Sequence, residues 1–141
     1  MSVSKGTAKW EGGLKDGSGV MKPAHATEAR FSLGSRFEGQ QGSNPEELIG
    51  AALAGCFSMA LTVALEKAGL KPRAINTSAD VHLDKDGGGF TISKIELVTD
   101  AAVPGADATQ FQNIATETKK ACPVSKALAG TQITLQAKLT A

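Results

Sequence analysis

The most distinctive pattern in the chain is a run of apolar and small residues, 48–65, that contains no charged side chain. Asn44 before the run is a good N-cap, and Pro45 suits the first helical position, where no backbone N–H is needed. Gly69 after the run is a favourable helix terminator. The pattern therefore predicts a helix from Pro45 to Ala68, roughly 36 Å long at about 1.5 Å per residue.

This predicted helix lacks a polar face, and a helix that is apolar all round is normally buried on every side. A chain of 141 residues would not wrap so long a helix completely, so we expect a second copy of the chain to cover it in a homodimer. A transmembrane helix is the alternative, because the run reaches the lower end of the length that crosses a bilayer. The run is rich in Ala, Gly, Ser and Thr and lacks flanking aromatic or basic anchors, so no membrane partner is expected.

Alternating apolar and polar residues predict β-strands before this helix. Residues 7–11 and 18–22 flank a glycine-rich turn and predict a hairpin. Residues 31–37 alternate in the same way and predict a further strand. In that strand Arg36 would face away from the two phenylalanines.

The clearest alternation follows the helix. Residues 75–84 have one apolar and one polar face, with His82 on the polar face. The next strand changes phase by one residue around Ser93, which predicts a β-bulge. Residues 133–139 alternate again and predict a terminal strand.

Residues 108–120 show the spacing of a short amphipathic helix that Asp107 can cap. Pro123 interrupts this helix and suits the first position of a new helical turn, which places Cys122 at the start of that turn. Together the elements predict a single α+β domain over residues 1–141, with antiparallel sheets around a long central buried helix.

Composition and charge narrow the possible functions. The chain has a net charge of +1, and its basic and acidic residues are interspersed, so no nucleic-acid partner is expected. The N-terminal residues lack the apolar segment of a secretory signal. We therefore expect a cytoplasmic protein without a structural disulfide.

The chain contains two cysteines, Cys56 in the predicted central helix and Cys122. One interpretation is that both are structural, since free cysteines are often small buried apolar residues. A zinc site would need both cysteines to converge with His25 and His82, and the spacing is not that of metal ligands. No metal and no bound cofactor are expected. The third interpretation is a reactive thiol pair.

A cysteine acts as a nucleophile only as its thiolate, and a nearby cation lowers its pKa. Arg36 is the candidate cation, and a glutamate can hold its guanidinium by a bidentate pair. Glu46 is favoured over Glu47, because it lies about 80° rather than about 180° from Cys56 around the helix.

The distance along the helix does not allow Glu46 to contact Cys56 directly. Glu46 lies roughly 15 Å from Cys56 along the helix axis. Arg36 must therefore bridge the two, or the helix must break, or Glu46 must come from a partner chain. Alternatively, Glu46 and Glu47 only stabilise the helix start, and Arg36 is a solvated strand residue.

Three segments resemble motifs of the osmotically inducible protein C and organic hydroperoxide resistance (OsmC/Ohr) family, specifically its OsmC branch. They are RFEG around Arg36, NPEELIGAALAGCFSMAL around Cys56 and ACPVS around Cys122. The similarity runs over nearly the whole chain and includes AKWEG near its start. It implies an OsmC-like fold, an intertwined homodimer and sites at the subunit interface.

The resemblance also implies a function. It is that of a thiol-dependent peroxidase that reduces organic hydroperoxides, and hydrogen peroxide less efficiently, in antioxidant and stress defence. By position, Cys56 matches the peroxidatic cysteine, Cys122 the resolving cysteine, Arg36 the activating arginine and Glu46 its carboxylate partner. The implied reductant is a dithiol, a dihydrolipoyl group on a lipoylated protein, with thioredoxin less favoured.

In such an enzyme the Cys56 thiolate attacks the peroxide and becomes a sulfenic acid, which condenses with Cys122 to an intrachain disulfide. An external dithiol then restores the two thiols. Two alternatives stay open: a non-enzymatic redox sensor or binding protein that uses the same cysteines, and a purely structural dimer built on the central helix.

Overall fold

The computed structural model describes residues 2–140, which form six strands and four helices. In chain order these are β1 (Gly6–Glu11), β2 (Ser18–Pro23), β3 (Ala29–Phe31), α1 (Leu33–Phe37), α2 (Pro45–Lys67), β4 (Ala74–Asp86), β5 (Gly89–Ala102), α3 (Ala108–Ala121), α4 (Pro123–Ala127) and β6 (Gln132–Thr140). The α+β class is confirmed. The chain divides into two compact units, one ending at Leu48 and the other beginning at Ile49, and a single domain over residues 1–141 stays a prediction.

The first unit contains a three-stranded antiparallel sheet in the order β1-β2-β3. β1 and β2 form the predicted hairpin, in which Glu11 pairs with Ser18 and Gly6 pairs with Pro23. β3 adds to the other edge of β2. The Trp10 ring lies against Phe31, with 5.4 Å between the ring centroids.

The prediction of a strand over residues 31–37 is wrong beyond Phe31, because the chain turns there into the short helix α1. Ser32 caps this helix: its hydroxyl accepts a hydrogen bond from the Ser35 N–H at 3.1 Å, and the Ser35 hydroxyl accepts one from the Ser32 N–H at 2.8 Å. This capping box satisfies two N–H groups locally, so they need no strand partner. Arg36 therefore belongs to a helical turn.

The second unit contains a three-stranded sheet in the order β4-β5-β6. β4 and β5 are antiparallel, and their register shifts where His82 pairs with Lys94 but Leu83 pairs with Ile92. Ser93 is thus the extra residue, and the predicted bulge is confirmed. β6 runs parallel to β5, which corrects the prediction of antiparallel sheets. The connection through α3 and α4 supplies the crossover that parallel pairing requires.

Helix α2 begins at the predicted Pro45 and ends at Lys67, one residue before the predicted Ala68. The Asn44 side chain accepts a hydrogen bond from the Glu47 N–H at 2.8 Å, which is an N-cap. The helix then continues without a break to Lys67, and Gly69 beyond it has a φ of +79°. That left-handed conformation favours glycine and ends the helix.

One stripe of α2 forms the core of the second unit. Residues at every fourth position are fully buried: Leu53, Phe57, Leu61 and Leu65. They pack in one cluster with residues of β5, α3 and the segments that follow them: Ile95, Leu97, Ala101, Val103, Phe111, Ala115 and Cys122. The spacing of four residues follows the helical repeat, so α2 faces this core along its length.

Other residues of α2 are open to solvent in the single chain. Met59 is 75% exposed and Val63 is 52% exposed. One chain therefore leaves part of α2 uncovered, as expected for a chain of this length. Burial of α2 on every side by a second copy stays a prediction. Among residues 2–140, α2 is also the one helix long and apolar enough to cross a membrane, a property that core helices of soluble proteins share.

Candidate active site

The two cysteines meet within the second unit. Cys56 lies on α2 beside the buried stripe and is partly exposed, whereas Cys122 is fully buried in the core. Their sulfur atoms are 2.8 Å apart and hydrogen-bonded, although 66 positions separate the residues in the chain. Both are free thiols. Because a disulfide bond is about 2.05 Å long, oxidation of this pair needs little movement.

Cys122 is held by the two helices that it joins. It follows the last residue of α3, and its N–H donates to the Thr118 carbonyl at 2.9 Å. It also precedes Pro123, the first residue of α4, and its carbonyl accepts from the Lys126 N–H at 3.0 Å. The predicted position at the start of a helical turn is confirmed. The proline favours extended backbone at Cys122, which bends the chain between the helices.

The surroundings of the two thiols shift their acidity in opposite directions. Burial raises the pKa of Cys56, and the neighbouring Cys122 thiol raises it further. Burial alone would also raise the pKa of Cys122. The Cys56 thiol, the amide and side chain of Ser125 and the Val124 amide oppose this and lower the pKa of Cys122. Contacts within the second unit therefore favour the first thiolate on Cys122.

The two lysines that precede Cys122 in the sequence are directed elsewhere. Lys119 donates to the Ile133 carbonyl at 3.1 Å, and Lys120 forms a 3.4 Å ion pair with Glu117. The lowered pKa of Cys122 therefore comes from the Cys56 thiol, the Ser125 and Val124 amides and the Ser125 side chain rather than from these charges.

The first unit brings Arg36 and Glu46 together. The Arg36 Nε donates to both Glu46 oxygens, at 3.0 and 3.2 Å, and its NH2 group also contacts Oε1. The Glu46 side chain is 10% exposed and the Arg36 side chain 36%. The guanidinium also lies 5.3 Å from the centroid of the Phe37 ring. This is the bidentate pair that the sequence predicts.

The choice between the two glutamates is also resolved. Glu47 accepts a hydrogen bond from the Ser43 hydroxyl at 2.7 Å, and its amide takes the Asn44 cap. Glu46, by contrast, pairs with Arg36. Because α2 is unbroken from Pro45 to Lys67, a broken helix no longer explains how Glu46 could act on Cys56. The roles of Arg36 and Glu46 in chemistry stay predictions.

His82, one of the two histidines considered as metal ligands, has another partner. His82 Nε2 lies 2.5 Å from Glu96 Oε1 on the polar face of the β4–β5 pair, with its side chain 37% exposed. Among residues 2–140, no three His, Cys, Asp or Glu side chains are grouped as metal ligands. The structure thus gathers the cysteines as a pair and leaves His82 on the polar face.

Sequence reasoning missed the groups that surround Cys122. The amides of Val124 and Ser125 and the Ser125 side chain all favour its thiolate. The signal lies in the spacing Cys-Pro-x-Ser, which puts Cys122 at the N-cap and Ser125 at the third helical position. That is the spacing of a capping box.

The chain is similar to characterised proteins over nearly its whole length. The family model "OsmC-like protein" matches residues 38–138. The chain is 48% identical to peroxiredoxin OsmC of Escherichia coli strain K12 over 137 residues, 96% of this chain and 95% of that protein.

Solved structures agree in fold. The organic hydroperoxide resistance protein OhrB of Bacillus subtilis superposes with a TM-score of 0.71 at 26% identity, covering 99% of this chain and 98% of that one. An OsmC-like protein of Mycoplasma pneumoniae superposes with a TM-score of 0.80 at 15% identity, covering 99% of each chain. From the matched family model and the near full-length similarity, the chain belongs to the OsmC-like protein family.

Proposed function

We propose that this protein is a two-cysteine peroxidase that reduces organic hydroperoxides with Cys56 and Cys122. The observation that carries the proposal is the 2.8 Å contact between two free thiols. A relative at 48% identity is named a peroxiredoxin, and a structural relative is named an organic hydroperoxide resistance protein. Both names support a peroxidase role in defence against hydroperoxides.

The proposed reaction has two stages. The Cys56 thiolate attacks one oxygen of the peroxide, the O–O bond breaks, and the leaving alkoxide takes a proton to become an alcohol. Cys56 is then a sulfenic acid. In the second stage the Cys122 thiolate attacks the Cys56 sulfur, hydroxide leaves and is protonated to water, and an intrachain disulfide forms. An external dithiol reduces this disulfide by thiol–disulfide exchange.

The first stage requires a thiolate on Cys56, and its surroundings in the second unit raise its pKa. We assign the activation of Cys56 to Arg36, from its own or the partner subunit. A guanidinium near the sulfur would stabilise the thiolate and the charge that develops on the leaving oxygen. Glu46 would hold Arg36 in the required orientation through the pair described above.

A hydrocarbon-bearing peroxide fits the surroundings of Cys56 better than a small polar one. Cys56 packs against the apolar cluster of the second unit, beside the fully buried Phe57. Apolar walls favour the burial of an organic substituent. Met59, three residues after Cys56 on α2, is exposed in the single chain and forms no such wall there.

We further propose a cytoplasmic homodimer that is reduced by a dithiol, such as a dihydrolipoyl group on a lipoylated protein. The exposed apolar residues of α2 support the dimer, since an unpaired apolar face of a soluble protein commonly marks an interface. An adjoining groove of about 540 Å³ between α2 and α3 includes Val63 and Ile114 among its lining residues.

Steady-state turnover with cumene hydroperoxide and dihydrolipoamide tests the proposed function. Continuous turnover is expected from the wild type and none from Cys56→Ser, while Cys122→Ser should react once and then stall. Oxidation of the wild type without turnover would instead favour a redox sensor. An unreactive Cys56 would leave only a structural role, and normal turnover by Cys56→Ser would refute the assignment of the nucleophile.

A further inference from the structure

Two short helices in this chain share one spacing at their N-termini. In α1 the N-cap is Ser32 and the third helical residue is Ser35, and each side chain accepts from the other's backbone N–H. In α4 the N-cap is Cys122 and the third helical residue is Ser125. Cys122 thus has the position that Ser32 has in α1, but its thiol makes no side-chain cap hydrogen bond.

The Ser125 side chain cannot accept the second hydrogen bond of a capping box. In a capping box the third side chain accepts from the N–H of the N-cap residue. Here the Cys122 N–H already donates to the Thr118 carbonyl at the end of α3. The Ser125 hydroxyl therefore lacks the backbone partner that Ser35 has in α1.

Among residues 2–140, the Ser125 hydroxyl is a buried side-chain oxygen without a hydrogen-bond partner, in a residue that is only 7% exposed. Other helical hydroxyls in the second unit donate to the carbonyl four residues earlier, as Ser58, Thr62 and Thr118 do at 2.7 to 2.9 Å. Ser125 does not use this alternative. An unpartnered buried hydroxyl is costly, so its position needs a reason.

The ionised form of Cys122 supplies that reason. The Ser125 side chain interacts favourably with the Cys122 thiolate, together with the Ser125 and Val124 amides. A thiolate is a strong acceptor, whereas a thiol is a weak one. The hydroxyl is thus without a partner beside the neutral thiol, and an ionised Cys122 would offer it an acceptor.

We propose that Ser125 is a positioning residue of the dithiol centre, whose hydroxyl donates a hydrogen bond to the Cys122 thiolate. This role of Ser125 deepens the proposed function. The hydrogen bond itself does not require a peroxidase, but its effect on the reaction rests on the proposed function. When the Cys122 thiolate attacks the Cys56 sulfenic acid, the bond keeps the attacking sulfur ionised. When an external thiolate attacks the Cys56 sulfur of the disulfide, Cys122 leaves as a thiolate that Ser125 again stabilises, and a better-stabilised thiolate leaves faster.

The test is a pH titration of the two thiols in full-length protein labelled with ¹³C at the cysteine Cβ. The chain has two cysteines, so two signals report the two thiols separately, without a requirement for access to the buried Cys122. In Ser125→Ala we expect the Cys122 thiolate fraction near neutral pH to fall roughly tenfold, because a hydrogen bond to a charged group is lost. Ser125→Thr keeps the hydroxyl and should move the midpoint back towards the wild-type value.

Thr118→Val is the matched control. It removes a buried hydroxyl from the helix that precedes Cys122, but that hydroxyl donates to the Ile114 carbonyl. The Cys122 midpoint should stay at the wild-type value in this variant. An unchanged midpoint in Ser125→Ala, or an equal shift in Thr118→Val, would overturn the proposal.

Kinetics separate this proposal from the proposed function. Disulfide formation after one equivalent of cumene hydroperoxide should be slower in Ser125→Ala near neutral pH and should recover as the pH is raised. An unshifted midpoint with full peroxidase turnover would reject the role of Ser125 and retain the peroxidase. A shifted midpoint in a chain without turnover would reject the peroxidase and retain the hydrogen bond.

Discussion

Replacing Glu46 by glutamine tests the ion pair that we assign to the activation of Cys56. The substitution keeps the size of the side chain and one oxygen acceptor but removes the charge. Glu46 is nearly buried, so the Arg36 guanidinium would lose a desolvated partner. Glu47→Gln is the matched control, because it removes the same charge one position later, where the side chain binds the Ser43 hydroxyl instead.

The size of the effect follows from the exposure of the two side chains. A hydrogen bond to a charged group contributes about 1.5 to 3 kcal/mol, and a solvent-exposed ion pair about 0.2 to 1 kcal/mol. Because the Arg36 side chain is 36% exposed, solvent screens the pair, and we expect a loss at the lower end of the range for a charged hydrogen bond, about 1.5 kcal/mol. Loss of a negative charge at the start of α2 costs about 0.5 kcal/mol more in either variant.

Equilibrium urea unfolding at one fixed protein concentration measures these changes. The free energy of unfolding should fall by about 2 kcal/mol in Glu46→Gln and by about 0.5 kcal/mol in Glu47→Gln. The kcat/KM for cumene hydroperoxide should fall in the first variant and stay near the wild-type value in the second. Equal losses in the two variants, in stability and in activity, would refute the assignment of Glu46.

Three further predictions concern the core, the thiol pair and the assembly. Leu61→Ala should lower the free energy of unfolding by about 2 to 5 kcal/mol, because Leu61 is fully buried; a loss well under 1 kcal/mol in urea unfolding would contradict the buried stripe of α2. The pKa of Cys122 in the fold lies below its ordinary value of 9.0, so the unfolded state binds more protons between the two values. The stability from its thiolate is thus fully present above pH 9.0 and lost as the pH falls through the folded value. The free energy of unfolding of the wild type, compared with that of Cys122→Ser, should therefore increase as the pH rises towards 9.0. A difference that does not change with pH would contradict the lowered pKa of Cys122. In equilibrium sedimentation the protein should have about twice the chain mass of 14.4 kDa, and Met59→Glu should shift it towards the monomer. A compact wild-type monomer would end the proposal of a dimer.

The elements with local signals are the ones that the sequence predicts correctly. Helix α2 carries its own cap at Asn44, and Gly69 ends it, so neighbouring residues are enough to place it. The alternation of 31–37 misled the prediction because it competes with a second local signal, the capping box of Ser32 and Ser35. Local hydrogen bonds determined the backbone there, and the side-chain alternation did not.

Long-range pairing is less accessible from one sequence. The alternation of β6 shows that it is a strand, but it carries no information about its partner, and so the parallel pairing with β5 was missed. The angle around α2 favours Glu46 over Glu47 on the side of Cys56, and Glu46 is the glutamate that pairs with Arg36. The helical turn that carries Arg36 was not predicted.

The contact of the two cysteines is the part of the site that periodicity does not predict. The family resemblance implied that Cys56 and Cys122 meet, and the structure supplies their contact. The orientation of Lys119 away from Cys122 depends on a partner in β6, which the local sequence does not identify. The partner of Lys120, Glu117, is three residues away on α3 and is visible in the helical spacing.

The most direct test of the central claim is mass spectrometry of the protein after one equivalent of cumene hydroperoxide, with free thiols alkylated before digestion. We expect a peptide pair joined by a disulfide between Cys56 and Cys122 of the same chain, which a dithiol converts back to two alkylatable thiols. Recovery of both cysteines as alkylated thiols, or a disulfide only between different chains, would contradict it.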